Sequence, residues 1–342
     1  MPTCYLHLGT HKTGTTSIQS FAYRNRRRLQ DDGVLYPDYE PFLEQKKGVL
    51  SHHRFARAVV GLDPCLDRNA AEQLAAHWLE TCARTGTALF LSAENMSVLE
   101  DKRCAGDKRV CYWRELKELL AGFRILPVLT LRRQDQYIES FYKERVRNIF
   151  GHRPVSFEEY FSLKLARGGM ADYGRSIESI LGVFGSILPL SFHDLAQGDF
   201  AVEFMQQALG VDASGYEQVS NERPSLSPVA TAVKVEVSAD IRDKRENALF
   251  VEWLLSPAFA SLASRFVDGE RKVSLFRDSS QQRRLVHMFA NDNASILASH
   301  GITFPEPADV IDRPPLPALP GELVDLCNDA LEAIRAGLAE RA

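Results

Sequence analysis

A short apolar run feeds a glycine-containing loop, which then opens a helix: Tyr5-Leu6-His7-Leu8-Gly9-Thr10-His11-Lys12-Thr13-Gly14-Thr15-Thr16-Ser17. A strand that turns through such a loop into a helix is the opening unit of an alternating α/β chain. The loop aims backbone N–H groups and the positive end of the helix dipole at its mouth, and the partner this arrangement favours is an anion. Gly14 lets the backbone approach that partner with no Cβ in the way. Thr15, Thr16 and Ser17 add hydroxyl donors at the helix start.

The rest of the chain keeps to the alternation. Apolar runs predict strands near Tyr5–Leu8, Val34–Tyr36, Leu89–Ser92, Val128–Leu131 and Leu188–Phe192, with Pro127 at the head of the fourth. Helical patterns fill the gaps at Thr15–Leu29, Ala70–Ala83, Asp135–Phe150 and Phe200–Leu209. The expected fold is a three-layer α/β fold of the P-loop NTPase type, with a central parallel sheet and a mainly helical C-terminal region. The expected division is a core over 1–230 and a helical extension over 231–342. Within the extension, prolines at 305, 307, 314, 315, 317 and 320 predict a stiff, extended linker. Val324, Cys327, Leu331, Ile334 and Leu338 then mark one apolar stripe on a terminal helix. That stripe is expected to dock on the body, with a dimer contact as the alternative.

Composition narrows the function. The chain has 342 residues, 45% of them hydrophobic, and a net charge of −4, which argues against broad binding to nucleic acid or anionic membranes. An anionic ligand must be held by a local cluster. No apolar run reaches the roughly 18 residues of a membrane span, and no secretory leader is evident, so a cytoplasmic, soluble protein is expected. The six cysteines (Cys4, Cys65, Cys82, Cys104, Cys111, Cys327) include no CxxC pair, and free thiols are expected.

Gly9 and Gly14 have the spacing of the nucleotide phosphate loop GxxxxGK[ST], and Thr16 falls where its metal-binding hydroxyl stands. The lysine is displaced. Thr15 occupies its position, and Lys12 comes three residues earlier. A lysine before the second glycine would sit beside the 5′ end of a donor shorter than a triphosphate. In Lys12-Thr13-Gly14-Thr15-Thr16 the chain resembles the sulfotransferase superfamily, whose 5′-phosphosulfate loop has this form. The resemblance implies 3′-phosphoadenylyl sulfate (PAPS) as donor substrate and adenosine 3′,5′-bisphosphate (PAP) as product. It implies a donor site of His11, Lys12, Thr13, Gly14, Thr15, Thr16 and Ser17, with Lys12 steadying the charge that develops on the bridging oxygen.

The same resemblance asks for an arginine ending a strand and a serine eight residues later, to grip the 3′-phosphate. Arg132 and Ser140 fit. Asp135 is the expected N-cap of the intervening helix, and Ser140 is expected on its polar face with Gln136 and Arg147, opposite Ile138, Phe141, Tyr142, Val146 and Ile149. An acceptor hydroxyl needs a general base, and superfamily members use a glutamate or a histidine. Glu94, running off the third strand, is the first candidate; His53, with its neighbour His52, is the second. The Arg24, Arg26, Arg27 and Arg28 run reads as a solvated helix end, and Arg223 in the loop Asn221-Glu222-Arg223 is left out of the site.

The expected function is sulfuryl transfer from PAPS to a hydroxyl, with no metal required and no nucleic-acid partner. A saccharide or glycolipid acceptor follows from analogy with bacterial relatives. The alternatives are a P-loop kinase or NTPase, weakened by the missing lysine at position 15, and a non-catalytic nucleotide-binding protein of the same fold.

Overall fold

The structure, a computed structural model, describes residues 1–10, 12–40, 51–166, 171–219, 224–268, 273–305 and 315–339. His11, the Asn221–Arg223 loop, Pro307 and Pro314 lie outside them.

Five strands alternate with helices in the first two thirds of the chain. β1 (Thr3–His7) leads to α1 (Thr15–Arg24) and α2 (Arg26–Asp31). β2 (Val34–Leu35) leads to α3 (His53–Ala58) and α4 (Arg68–Thr85), and β3 (Ala88–Ser92) leads to α5 (Lys108–Leu119). β4 (Arg124–Leu131) is followed by α6 (Gln134–Asn148), α7 (Phe157–Ala166) and α8 (Tyr173–Phe184), and β5 (Leu188–Ser191) by α9 (Phe192–Leu195) and α10 (Phe200–Phe204). The remainder is helical: α11 (Pro228–Val237), α12 (Lys244–Leu254), α13 (Pro257–Ala263), α14 (Ser279–Met288), α15 (Ala290–His300) and α16 (Gly321–Ala339).

All five strands are parallel, in the order β2-β3-β1-β4-β5. Alternate strand residues feed two apolar layers. Cys4, Leu6, Leu89, Leu91, Leu129 and Leu131 pack with α3, α4, α5 and α8, while Phe90, Val128 and Leu190 pack with α1 and α10. Burial on both faces is why these strands read as continuous apolar runs. Among the described residues, no helix is long and apolar enough to cross a membrane.

The chain divides into two compact units. One comprises Met1–Arg132, Asp172–Glu222 and Asp292–Phe304 and holds the whole sheet; the other comprises Arg133–Ala171, Arg223–Asn291 and Pro305–Ala342. The second is helical. Its larger core joins α11, α12 and α13 to Leu323, Cys327 and Leu331 of α16; of the expected stripe, Cys327 and Leu331 are buried there, Ile334 packs partly against them, and Val324 and Leu338 stay half-buried outside that core. A second core joins Tyr137, Ile138, Tyr142 and Val146 of α6 to Phe157, Tyr160 and Phe161 of α7 and to Leu285 of α14. Beside it, buried Arg133 makes two bonds to the Asp135 carboxylate, at 2.6 and 2.7 Å, and a third to the Pro305 carbonyl at 3.1 Å.

Several local expectations are corrected. Asp135 is not the N-cap of α6; Arg133 holds that place and takes the Asp135 carboxylate for itself. Burial would raise the Asp135 carboxyl, but the bonds from Arg133 and Gln282 leave it below its usual range. Ser140 lies on no solvated face, because Gln134 through Ser140 are buried except for Gln136. Pro127 is inside β4, opposite Leu6. It is tolerated because Val128 turns its carbonyl to β1, leaving Pro127 to face β5, which begins only at Leu188 opposite Val128. The first helix breaks at Asn25, whose amide bonds both the Phe21 and the Glu217 carbonyls while its oxygen accepts from the Glu217 N–H. Cys104 and Cys111 are not free thiols but a disulfide. A turn closed by Cys104 N–H on the Asp101 carbonyl sets Cys104 ahead of α5, and Cys111 lies on the first turn of that helix.

Candidate functional site

The strand order puts a crevice between β1 and β4, because the chain leaves β1 toward one edge of the sheet and β4 toward the other. Open α/β sheets bind ligands at the carboxyl ends of strands at such a switch point. Three strand ends meet here. The Leu8 N–H donates to the Val128 carbonyl at 3.0 Å on one side, and the Ala93 N–H donates to the His7 carbonyl at 3.2 Å on the other.

The loop that follows is held from inside. The Thr10 hydroxyl donates to the Thr130 carbonyl at 2.8 Å, and the Thr13 hydroxyl donates to the Thr10 carbonyl at 2.6 Å. Thr10, Thr13 and Thr15 are buried, so of the expected hydroxyl donors Thr16 and Ser17 are the accessible ones. Gly14 caps α1 at φ 78°, and no side chain caps the helix. The first intrahelical bond runs from the Ile18 N–H to the Gly14 carbonyl, so the N–H groups of Thr15, Thr16 and Ser17 have no acceptor within the helix. Acidic residues are absent from the first turn. The result is a helix mouth electrically suited to an anion.

Lys12 is the one described non-glycine residue at positive φ, 64°. A lysine costs about 1 kcal/mol or more in that conformation, which a partner must offset. That partner is Arg132. Its Nη1 donates to the Lys12 carbonyl at 3.0 Å, and its guanidinium lies 4.5 Å from the centre of the Phe192 ring. Phe192 in turn meets Phe200 at 5.2 Å, and Phe200 closes on Gly14. A Cβ on Gly14 would come within 2.2 Å of that ring, so sterics as well as backbone conformation demand glycine. Arg132 therefore stands beside the loop that carries Lys12. Arg132 belongs to the first unit and Ser140 to the second.

Glu94 begins a 3₁₀ turn, Glu94–Ser97, directly beyond β3. A Cβ on Gly9 would lie 3.3 Å from the Glu94 Cα, and the Ser97 hydroxyl reaches the carbonyls of Gly9 (3.2 Å) and Glu94 (2.8 Å). The first candidate base is thus clamped against the Gly9–Gly14 loop by its backbone. His53 opens α3 and pairs with the Ser51 hydroxyl at 2.8 Å, while its carbonyl accepts from Asn95.

His52 has a different task. Its N–H donates to the Ser92 carbonyl at 2.9 Å, its Nδ1 accepts from the Ser92 N–H at 3.0 Å, and Nε2 donates to the Pro37 carbonyl at 3.0 Å. A single residue stands in for a strand where β2 has already ended. Both ring nitrogens are committed, and burial pushes the ring down to about pKa 4. His52 holds the sheet edge and has no nitrogen left for an acceptor proton.

His7 belongs to no motif in the sequence. It lies at the end of β1, fully buried, with Nδ1 2.9 Å from the Ser92 hydroxyl and its ring 4.9 Å from that of Phe204. Burial drives it down to about pKa 4, against an upward pull from the Glu94 carboxylate. The available signal was a lone titratable residue in an otherwise apolar strand, next to the loop. Among the described residues, no group of three or more His, Cys, Asp or Glu side chains is placed to hold a metal ion.

No protein-family model matches the chain, and no curated protein matches it. Among solved structures, the crystal structure of a sulfotransferase from Alicyclobacillus acidocaldarius is similar at a TM-score of 0.39 and 15% identity, over 72% of this chain and 99% of that one.

Two outcomes follow from this geometry. Gly14→Ala should destabilise the fold by about 1–2 kcal/mol through the left-handed backbone alone, and further through Phe200. Urea denaturation should show partial recovery in Gly14→Ala/Phe200→Ala; no recovery would mean that the ring does not press on the loop. His7 and His52 stay neutral when folded, with pKa values near 4 against an ordinary 6.5. Their contribution is complete above pH 6.5 and is lost as pH falls toward 4, on the order of 3 kcal/mol apiece. The urea midpoint should drop across that window, and a flat midpoint would contradict their burial as neutral rings.

Proposed function

We propose that the protein transfers a sulfuryl group from PAPS to an acceptor hydroxyl. The observation that carries the proposal is the uncapped mouth of α1, with glycine at its cap and Lys12 and Arg132 beside it at the switch point of the sheet. Phosphate held there would accept from the Thr15, Thr16 and Ser17 amides and the Thr16 hydroxyl. A lysine ahead of the second glycine is matched to a donor whose reacting bond lies at the 5′-phosphate, not two phosphates further on.

In the reaction, the acceptor oxygen forms a bond to sulfur as the bond from sulfur to the bridging 5′-phosphate oxygen breaks. Negative charge then gathers on that oxygen as PAP leaves. Lys12 is the group assigned to neutralise it, and the backbone amides, already oriented, add stabilisation without reorganising. Glu94 takes the proton from the acceptor. By analogy with phosphoryl transfer through loose transition states, positioning and charge stabilisation are the protein's main contributions. Arg132 braces the Lys12 carbonyl and contributes positive charge for the 3′-phosphate. A saccharide or glycolipid hydroxyl is the proposed acceptor, on the sequence resemblance.

Calorimetric titration with PAP, ADP and ATP, each with and without Mg²⁺, separates this reading from a kinase or NTPase. Tight, metal-independent preference for PAP is expected, and preference for ATP with Mg²⁺ would overturn the proposal. Release of sulfate from labelled PAPS, with water as the acceptor, reads turnover. Lys12→Ala should lower that rate by about 100-fold or more, the scale of losing one charge-stabilising group, while PAP affinity falls far less. Equal losses would reduce Lys12 to a binding group.

A further inference from the structure

Ser92, the last residue of β3, is a junction. Its carbonyl accepts from the His52 N–H at 2.9 Å and from the Gln19 amide at 3.3 Å. Its hydroxyl lies 3.2 Å from the same Gln19 nitrogen and 2.9 Å from His7 Nδ1. The Gln19 amide can only donate, so the Ser92 oxygen accepts from it. The serine oxygen keeps a second lone pair, so His7 Nδ1 either donates to it or takes the serine proton. Where it takes that proton, the imidazole carries its own proton on Nε2.

His7 Nε2 is buried and has no hydrogen-bond partner. A buried N–H left unpaired costs about 1–3 kcal/mol, so it calls for an explanation. The ring stands on the α1 side of the sheet, with Gln19 and Phe204. Glu94 follows Ser92 by two residues, where the 3₁₀ turn begins beyond the end of β3. The Glu94 carboxylate acts electrostatically on the His7 ring. An orphan N–H and a carboxylate therefore share one corner under the phosphate loop.

We propose that His7 is a positioning residue for Glu94: a chain from Gln19 through Ser92 to His7 presents the Nε2 proton to the carboxylate that takes the acceptor proton. This inference rests on the proposed reaction and on Glu94 as its base. It follows the logic of a base oriented by a third group, with the neutral imidazole as orienter. A donor to the charged form of a carboxylate lowers its pKa and keeps it ionised. His7 does not itself relay the proton, because its burial opposes the positive charge that a second ring proton would bring. Among the described residues, the charged or titratable groups on the surrounding elements include Lys12 in the loop, Arg132 at the end of β4, His52 at the cap of α3, His53, Arg54 and Arg57 on α3, Arg24 at the far end of α1, and Glu203 on α10.

The test follows the pH profile of sulfate release from labelled PAPS, with PAP affinity as the check on folding. In His7→Leu the acidic limb should move up by about one pH unit, the scale of losing one hydrogen bond to a carboxylate. His7→Gln, whose amide N–H reaches the place of Nε2, should restore most of the shift. Ser92→Ala should move the limb the same way, by less, because the serine proton no longer favours that tautomer. A limb unmoved in both His7→Leu and Ser92→Ala, with turnover still dependent on Glu94, would overturn this inference alone. So would a shift that His7→Gln leaves in place, as expected of a purely structural ring. No release by the unaltered protein, or normal release by Glu94→Gln, would remove the underlying reading and this inference with it.

Discussion

The site depends on the bonding of the end of β1 to its neighbours on both sides. Leu8 N–H to Val128 and Ala93 N–H to His7 are ordinary backbone bonds, each worth about 1 kcal/mol net. Their effect is geometric. They bring the Gly9–Gly14 loop, Glu94 and Arg132 to one edge of the sheet, from segments separated by about eighty and forty residues. Gly9 packs so close to the Glu94 backbone that a Cβ there would lie 3.3 Å from the Glu94 Cα. Gly14 is similarly confined between its left-handed backbone and the Phe200 ring. The loop is thereby fixed by its own packing, as the proposed charge stabilisation without reorganisation requires.

The strain at Lys12 belongs to the same economy. A lysine in the left-handed region is held by a bond from Arg132 to its carbonyl, and Arg132 rests on Phe192, which touches Phe200, which touches Gly14. The contacts close a circuit around the helix mouth. A single cation thus serves two ends, fixing the loop and adding to its positive field. His52, His7 and Gln19 serve Ser92 in a comparable way from the opposite side.

Much of this was legible in the residues. All five strands stand where apolar runs marked them, since burial on both faces leaves little polar interruption. The strand–loop–helix unit was read from Gly9, Gly14 and the run of hydroxyls. What escaped were choices made by distant partners. Asn25 breaks the first helix because Glu217, far along the chain, offers both its N–H and its carbonyl. Asp135 looked like a cap but is claimed by Arg133, and Ser140 looked exposed because periodicity does not reveal that nearly all of the first two turns of α6 are covered. Cys104 and Cys111 meet across a turn that no cysteine spacing rule describes. The histidines show the same limit. His52 drew notice as one of an adjacent pair and proved to be a substitute strand, while His7 was hidden among apolar neighbours.

A crystal structure with bound PAP tests the central claim most directly. The 5′-phosphate is expected on the amides of Thr15 and Thr16, at about 2.9 Å, with the Lys12 ammonium against the oxygen that would carry sulfur. A nucleotide whose 5′ end lies away from the α1 mouth, or toward the side of the loop remote from Lys12, would contradict the claim that this helix start holds a departing bisphosphate.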